Sequence, residues 1–219
     1  MQALAEFFQE GGPFMYVNLC TSVGALAVIL ERAYFFFFRL QVNVPVFLEQ
    51  IRRLVSANNL DRAIKLTTAS KTPAAKVAKA GLTRFHKGDE AIATAIEETL
   101  IEVLPDLKKR ISALWSLANI ATLLGLIGTI FGLIKTFGSL GTANPADRAR
   151  MLSDGISEAM NNTALGLSIA VTCMVGHLLL SGLSRKHQNE LDGFALKLEN
   201  FLIEGSRKGL EGTGEEAKQ

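Results

Sequence analysis

The sequence is poor in the residues that build metal sites and catalytic sites. It has two cysteines, Cys20 and Cys173, and three scattered histidines among 219 residues. A metal cluster needs several such ligands at close spacing, and no nucleophile lies next to a base. The glycines near residue 130 lack the Gly-Lys-Ser/Thr ending of a phosphate-binding loop. We therefore expect no enzyme activity, no catalytic residue, no cofactor and no metal site, and both cysteines are expected to act as small apolar residues.

Net charge is also nearly absent. Lys and Arg number 23 and Asp and Glu number 21, which gives a formal charge of +2. A charge this small does not indicate a nucleic-acid partner. Hydrophobic residues make up 48% and charged residues 20%, so apolar and charged residues should occupy separate blocks. No Lys or Arg precedes the first apolar run, so a secretory signal is not expected.

Three apolar runs are long enough to cross a membrane, which takes about 20 helical residues. They cover residues 13–38, 111–137 and 154–183. The second and third runs lack the charged stripe of a water-soluble amphipathic helix. The aromatic cluster at 34–38 and Trp115 suit the membrane–water interface. The sequence therefore predicts an all-α membrane protein with three transmembrane helices surrounded by lipid.

The positions of Lys and Arg predict the orientation of these helices. Thirteen of them lie in residues 39–110, whereas residues 138–153 contain two. Cytoplasmic loops carry an excess of Lys and Arg. We therefore expect residues 39–110 and the tail 184–219 in the cytoplasm, and residues 1–12 and the loop 138–153 in the periplasm. The protein would be a multi-pass protein of the bacterial inner membrane, with a periplasmic N-terminus and a cytoplasmic C-terminus.

The segment 39–110 is predicted to be helical. Apolar residues recur at helical spacing within 46–55 and again within 92–111. Gly88-Asp89 marks a turn between two helices, and the second helix is expected to continue straight into residues 111–137 with a kink at Pro105. The Gly- and charge-rich end, 209–219, is expected to be disordered.

The second and third runs each have one face of small and weakly polar residues. At about 100° per residue, one face of the second run carries Ala118, Ala121, Thr122, Gly125, Gly128, Thr129, Gly132 and Thr136. The third run has a similar face, which carries Gly155, Ala159, Asn162, Thr163, Gly166, Ala170, Cys173 and His177. Glu158 lies at the edge of this face near the outer end.

Two interpretations of these faces stay open. Small residues let helix backbones approach closely in lipid, which would make the faces packing surfaces. Polar groups inside a membrane are expensive and normally face a protein interior or water, which favours a polar passage. Glu31 and Arg32 are expected to form a structural ion pair, Lys135 is expected to reach the outer interface, and His177 is expected to pack between helices. No carboxylate lies near mid-membrane, so a proton path would need one from a partner.

Both faces contain patterns of a known family. Residues 121–134, Ala-Thr-Leu-Leu-Gly-Leu-Ile-Gly-Thr-Ile-Phe-Gly-Leu-Ile, closely resemble the second-span motif of ExbB and TolQ proteins. Gly155-Ile-Ser-Glu-Ala159 and Thr163-Ala-Leu-Gly-Leu167 resemble their third-span motif. The chain departs from the ExbB pattern at Thr122, Asp154 and Thr172, where prolines are usual. The resemblance covers roughly residues 10–200 and extends to the related stator protein MotA.

The resemblance implies a homopentamer around two copies of an ExbD/TolR-like single-span partner, whose membrane Asp takes and releases the ion. Thr129 and Thr163 match the threonines that face this Asp, and Glu158 matches the third-span glutamate of the family. The implied ion path comprises Thr129, Thr163, Glu158 and Asn162, and the packing glycines are Gly125, Gly128, Gly132, Gly155 and Gly166.

The implied function is an ion-conducting, by family default proton-conducting, stator subunit that does work on a further protein. This protein would be a TonB-like or TolA-like effector or a surface-motility effector, and the sequence does not choose among the three. A non-conducting membrane scaffold is the alternative, and a self-contained channel is a third interpretation that the lack of a mid-membrane carboxylate disfavours.

Overall fold

The computed structural model describes residues 12–40, 43–141 and 144–216, and the described part is almost entirely helical. In chain order the helices are α1 (Gly12–Tyr34), α2 (Val44–Ser56), α3 (Leu60–Ala69), α4 (Pro73–Thr83), α5 (Asp89–Lys108), α6 (Ile111–Leu140) and α7 (Arg148–Glu216). A π-helical turn, Phe35–Arg39, extends α1, and a short 3-10 turn, Phe85–Lys87, precedes α5. The predicted all-α class is confirmed.

Local sequence signals set several helix ends. The side chain of Asn43 accepts a hydrogen bond from the backbone N–H of Val46 at the start of α2, as an N-cap residue does. Pro73 begins α4, where a missing N–H costs no intrahelical bond. Gly88 has a φ of 94°, which an L side chain rarely adopts, and α5 begins at the next residue. The turn expected at Gly88-Asp89 is therefore present.

Three helices of the described residues are long and apolar enough to cross a membrane. They lie in Gly12–Phe38, Asp89–Leu140 and Arg148–Arg207. Each contains one of the three runs predicted as a transmembrane span. The chain also divides into two compact units, residues 1–33 with 110–181 and residues 34–109 with 182–219. We call them the membrane unit and the loop unit.

The membrane unit buries small residues and exposes large ones. Ala25, Ala118, Ala121, Ala170 and Cys173 form its apolar centre with Ile169. Its largest apolar side chains are exposed instead, among them Leu123, Ile130, Phe131, Val171 and Leu178. Helix α1 joins the other two helices through a stack of Phe14 on Phe131 and through Ile29, which contacts Gly176. This inverted pattern is expected for a helix bundle whose surroundings are lipid.

The loop unit has an ordinary apolar core. Its fully buried side chains include Ile51, Leu82, Ile92, Ile96, Phe194, Leu198 and Leu202, contributed by α2, α4, α5 and the second half of α7. Gly81 lets α4 approach closely, since a Cβ there would lie 3.0 Å from Ile96 and 2.9 Å from Leu202. Burial of these side chains contributes roughly 1.5–3 kcal/mol each. The apolar periodicity of residues 92–111 correctly predicted a helix, and its apolar residues Ile92, Ile96, Val103 and Leu107 are buried.

The expected continuation of α5 into the second span is wrong. Helix α5 ends at Lys108, and α6 begins at Ile111. Between them Arg110 has a φ of 62°, a left-handed conformation that interrupts helical hydrogen bonding. Pro105 lies inside α5, so the helix breaks after the proline rather than at it.

Helix α7 is much longer than the third predicted span. It begins at Arg148, inside the loop expected at 138–153, and continues past residue 183 to Glu216. Beyond residue 183, Leu191, Phe194, Leu198 and Leu202 are buried at helical spacing, which explains why the helix persists. Residues 209–216, expected to be disordered, are helical, because each added residue extends an existing helix at low cost. Residues 217–219 lie outside the described residues, as do residues 1–11.

Candidate functional site: a polar seam between two membrane helices

Glycines bring α6 and α7 into close contact within the membrane unit. A Cβ at Gly125 would lie 3.0 Å from the carbonyl oxygen of Asn162 and 3.3 Å from the Cα of Gly166. A Cβ at Gly166 would lie 2.6 Å from the carbonyl oxygen of Ala121. These neighbours are backbone atoms, so a side chain at either position would push the helices apart. We call this contact, formed by the small faces of α6 and α7, the seam.

The other three glycines predicted to pack lie in the same seam. Gly128 faces the side chain of Asn162, Gly132 faces Ala159 with 3.2 Å between the positions of their Cβ atoms, and a Cβ at Gly155 would overlap Thr136. Helix α6 buries the predicted small face: Ala118, Ala121, Gly125, Gly128, Gly132 and Thr136. The helical pattern therefore located the face correctly.

Two hydroxyls meet in the seam. Thr129 donates a hydrogen bond to the carbonyl oxygen of Gly125 at 2.9 Å, and the hydroxyls of Thr129 and Thr163 are in hydrogen-bond contact with each other. The Thr163 hydroxyl also lies 3.4 Å from the carbonyl oxygen of Gly125. Both threonines are half-buried. The two residues, 34 positions apart in sequence, thus form one polar group centred on a backbone carbonyl.

Asn162, the residue before Thr163 on α7, adds an amide to the seam. It is 4% exposed, it packs against Gly128, and its Nδ2 donates to the carbonyl oxygen of Glu158 at 3.2 Å. A buried amide with room only against a glycine has little freedom to move. Asn162 therefore lies in the same seam as Thr129 and Thr163.

Glu158 lies in an open, polar cavity at the end of the seam that the sequence predicts to be the outer one. The cavity measures about 610 Å³ and is lined by Gly12, Lys135, Thr136, Ser139, Arg150, Met151, Asp154, Gly155, Ser157 and Glu158. The Oε2 of Glu158 lies 3.6 Å from the Nζ of Lys135. The Glu158 side chain is 22% exposed and that of Lys135 76% exposed. Lys135 was predicted only to reach the interface, so its pairing with Glu158 is a new observation.

Asn18 of α1 bonds to the seam from outside it, a contact that the sequence reasoning missed. It is 1% exposed, and its Nδ2 donates to the carbonyl oxygen of Ala121 at 3.2 Å. Gly166 makes the contact possible, since its Cβ would lie 3.1 Å from that same Nδ2. Within the described residues, the Oδ1 of Asn18 has no hydrogen-bond partner. An asparagine inside an apolar run is expensive in lipid, and this was the signal that could have found it.

Charges and aromatic rings hold the opposite end of the membrane unit, which is the predicted inner end. Glu31 contacts Arg32 at 3.3 Å and Arg110 at 2.5 Å, so the predicted structural ion pair is confirmed. The Nδ1 of His177 lies 3.0 Å from the carbonyl oxygen of Ile111, and the ring lies beside Trp115. Both contacts join helices of the membrane unit. His177 therefore packs between helices as predicted.

The chemistry available in the seam is hydrogen bonding and charge. Hydroxyls, an amide and backbone carbonyls lie deep in it, and a carboxylate paired with an ammonium lies at its outer end. Among residues 12–40, 43–141 and 144–216, no group of three or more His, Cys, Asp and Glu could hold a metal ion. The seam therefore offers hydrogen-bond donors and acceptors in its interior and a pair of opposite charges at one end.

Comparisons with known proteins agree on one family. An ExbB homolog of Methanothermobacter thermautotrophicus is 24% identical over 210 residues, covering 94% of this chain and 73% of the relative. A biopolymer transport protein of the ExbB type from Vibrio cholerae is 28% identical over 211 residues, covering 94% and 90%. The Tol-Pal system protein TolQ of Haemophilus influenzae is 28% identical over 95 residues, covering 42% and 41%.

A solved structure, that of Campylobacter jejuni MotAB, aligns with a TM-score of 0.49 at 17% identity, covering 89% of this chain and 82% of that chain. The family model described as the MotA/TolQ/ExbB proton channel family matches residues 69–193, more than half of the chain and the whole of the seam. This protein therefore belongs to the MotA/TolQ/ExbB proton channel family.

Proposed function

We propose that this chain is the ion-conducting stator subunit of an ion-driven motor in the bacterial inner membrane. It would act with an ExbD/TolR-like single-span protein that carries an Asp in its membrane span. The observation that supports this most directly is the contact between the hydroxyls of Thr129 and Thr163 in the seam. A passive packing seam needs only Gly and Ala, whereas an ion path needs polar groups that tolerate a change of charge.

The hydroxyl pair can distinguish the two protonation states of a partner carboxyl. Each hydroxyl has one proton and two acceptor positions. With Thr129 donating to Gly125 and Thr163 donating to Thr129, both protons are used inside the seam. A protonated Asp can then donate to a free acceptor position of Thr163. An ionised Asp can only accept, so Thr163 would have to turn its proton away from Thr129, which costs about 1 kcal/mol.

Glu158 and Asn162 would complete the ion path on the outer side. Glu158 lies in the open cavity with Lys135, where an ion from outside the membrane can reach it. Asn162, one turn deeper, lies between Glu158 and the hydroxyl pair in the seam. An ion would thus pass from a solvated carboxylate, beside an amide, to the partner Asp at Thr129 and Thr163. Protons are the expected ion because the family conducts protons.

The proposal also specifies which segments lie on each side of the membrane and how the copies assemble. Residues 39–110 and 184–219 would lie in the cytoplasm, and the N-terminus and residues 138–153 in the periplasm, because Lys and Arg concentrate in the first pair of segments. Five copies would surround two partner spans. One charge crossing 100 mV supplies about 2.3 kcal/mol, which can drive rotation of the ring and work on a TonB-like, TolA-like or motility effector.

A second candidate, a non-conducting membrane scaffold, has one observation in its favour. The polar groups of the seam find hydrogen-bond partners within a single chain, since Thr129, Thr163 and Asn162 all bond to α6 or α7. A purely structural seam would be satisfied in the same way. The two candidates differ in what removal of a hydroxyl does to ion flux.

Partner-dependent proton flux into liposomes tests the proposal. The variants are Thr129→Val, Thr163→Val and Glu158→Ala, and Thr172→Val is the matched control, since its hydroxyl bonds within α7 at an exposed position. We expect flux only with the single-span partner, a loss of about tenfold or more in both seam threonine variants, and no change in the control. Absence of flux from a folded oligomer with its partner would refute conduction and favour the scaffold.

A further inference from the structure

The loop unit contains two adjacent segments of opposite charge that the proposed function does not use. Residues 62–87 contain seven Lys or Arg and no Asp or Glu, whereas residues 89–106 contain six Asp or Glu and no Lys or Arg. The cationic residues are Arg62, Lys65, Lys71, Lys76, Lys79, Arg84 and Lys87; the acidic residues are Asp89, Glu90, Glu97, Glu98, Glu102 and Asp106. We call them the basic segment and the acidic segment.

Most charges of the two segments form no ion pair within the described residues. In the described part of the loop unit, none of the seven cations of the basic segment forms an ion pair. In the acidic segment, Asp89 pairs with Arg207 and Asp106 also has a partner, but the glutamates at 90, 97, 98 and 102 have none there. All seven cations and all four glutamates are exposed.

The two charged faces point in different directions. Helix α4 buries Val77, Ala78 and Leu82, and α5 buries Ile92, Ile96 and Val103, all in one core cluster. The helices touch each other through these apolar faces, with Gly81 against Ile96. Lys76, Lys79 and Thr83 lie on the exposed side of α4, and Glu98, Ile101 and Glu102 lie on the exposed side of α5. A single copy therefore cannot pair one face with the other.

We propose that the acidic face of α5 docks onto the basic segment of a neighbouring copy of this chain. Two different, complementary faces on one chain allow a head-to-tail contact, which gives a ring where the rotation closes, whereas a two-fold contact through either face alone would place like charge on like charge. Ile101, 66% exposed among glutamates, supplies an apolar anchor for the alkyl stems of the facing lysines. The proposal rests on the self-assembly in the proposed function but not on ion conduction.

The number and placement of the exposed charges favour a second copy of this chain as the binding partner. The seven cations of the basic segment on one copy would meet the four glutamates of α5 that have no partner within the described residues. Both segments belong to the same unit, so every copy in a ring offers one of each. An anionic lipid surface would use the basic segment but leave the glutamates and Ile101 of α5 unexplained. A second copy explains both faces together.

Disulfide cross-linking between full-length chains tests the contact. In a Cys20→Ser, Cys173→Ala background, one tagged chain carries Ile101→Cys on the acidic face and a differently tagged chain carries Thr83→Cys on the basic face. Leu196→Cys, 61% exposed on α7 and outside both faces, replaces Ile101→Cys in the control pair. We expect mixed cross-links for the first pair and about tenfold fewer for the control pair. The cross-links should weaken at 1 M salt, where exposed charges are screened.

Charge-reversal variants test whether the contact depends on the opposite charges of the two faces or only on the two faces being close together. Lys76→Glu with Lys79→Glu, or Glu98→Lys with Glu102→Lys, should each lower the cross-link yield about tenfold. All four changes in the same chain should restore it. Arg53→Glu with Lys197→Glu, which changes the net charge equally on exposed residues outside both faces, should leave it unchanged.

Two results would overturn the proposal. One is the absence of cross-links between chains without charge-reversal changes, and the other is a fourfold variant whose cross-link yield does not return. A result in which anionic vesicles abolish the cross-links would also overturn it, because the basic segment would then be a lipid site. Proton flux of the same cysteine pair with the single-span partner distinguishes the two proposals. Flux without cross-links refutes only the docking contact, and cross-links without flux refute only conduction.

Discussion

The membrane unit and the loop unit bury opposite kinds of residue in the same chain. The membrane unit buries glycines, alanines, threonines and two asparagines and exposes leucine, isoleucine and phenylalanine. The loop unit buries leucine, isoleucine and phenylalanine and exposes lysine, arginine and glutamate. The difference shows which solvent each unit is built for. In lipid, close backbone approach and internal hydrogen bonds hold helices together, whereas in water apolar burial does.

The largest effect is expected in the loop unit, from truncation of a buried side chain. Leu198→Ala removes a side chain that is fully buried in the core, so it should lower the free energy of unfolding by about 2–5 kcal/mol. Leu196→Ala, on the exposed side of the same helix, should change it by less than about 0.5 kcal/mol. Thermal unfolding of the detergent-solubilised chain measures both. Equal effects would mean that this part of the chain has no apolar core.

A smaller effect is expected in the membrane unit, from adding a methyl group. Gly166→Ala places a Cβ 2.6 Å from a backbone carbonyl, so it should destabilise the bundle by about 1–3 kcal/mol although alanine favours a helix. Gly24→Ala meets no atom within 4 Å, so it should stabilise by up to about 1 kcal/mol. The two melting temperatures should thus move in opposite directions. A shift of the same sign would show that the seam is not closely packed.

The smallest effect is expected from the polar tie of α1. Asn18→Leu removes the hydrogen bond to Ala121 but also removes a buried oxygen that has no partner in the described residues. Interhelical hydrogen bonds in membranes average about 0.6 kcal/mol, so the net loss should be of that size. Thr21→Val, whose hydroxyl bonds only within α1, is the control. A loss above about 2 kcal/mol would identify Asn18 as a main determinant of bundle stability.

Periodicity and composition predicted the seam, but not the contacts made by single side chains. Small residues at helical spacing marked the face of α6 that is buried, from Ala118 to Thr136, because a helix has a fixed period. They could not show that Lys135 pairs with Glu158 or that Asn18 reaches Ala121, since such contacts depend on how three helices pack. Nor could they show the break at Arg110, because a left-handed arginine has no sequence signal as a left-handed glycine does.

The length of α7 was predictable in principle. Leu191, Phe194, Leu198 and Leu202 recur at spacings of three and four, which predicts a buried helical face beyond residue 183. The apolar run ends near residue 183, but the helical period continues after it. A change of solvent along a helix changes its composition but does not end the helix.

A double-mutant cycle on proton flux is the most direct test of the central claim, that Thr129 and Thr163 act as one group at the partner's carboxyl. Partner-dependent flux would be measured for Thr129→Val, Thr163→Val and the double variant in liposomes. Residues that act as a unit are non-additive, so the double variant should lose no more flux than the worse single variant. Losses that multiply would show that the two hydroxyls act separately, and unchanged flux in all three variants would show that the seam is not the ion path.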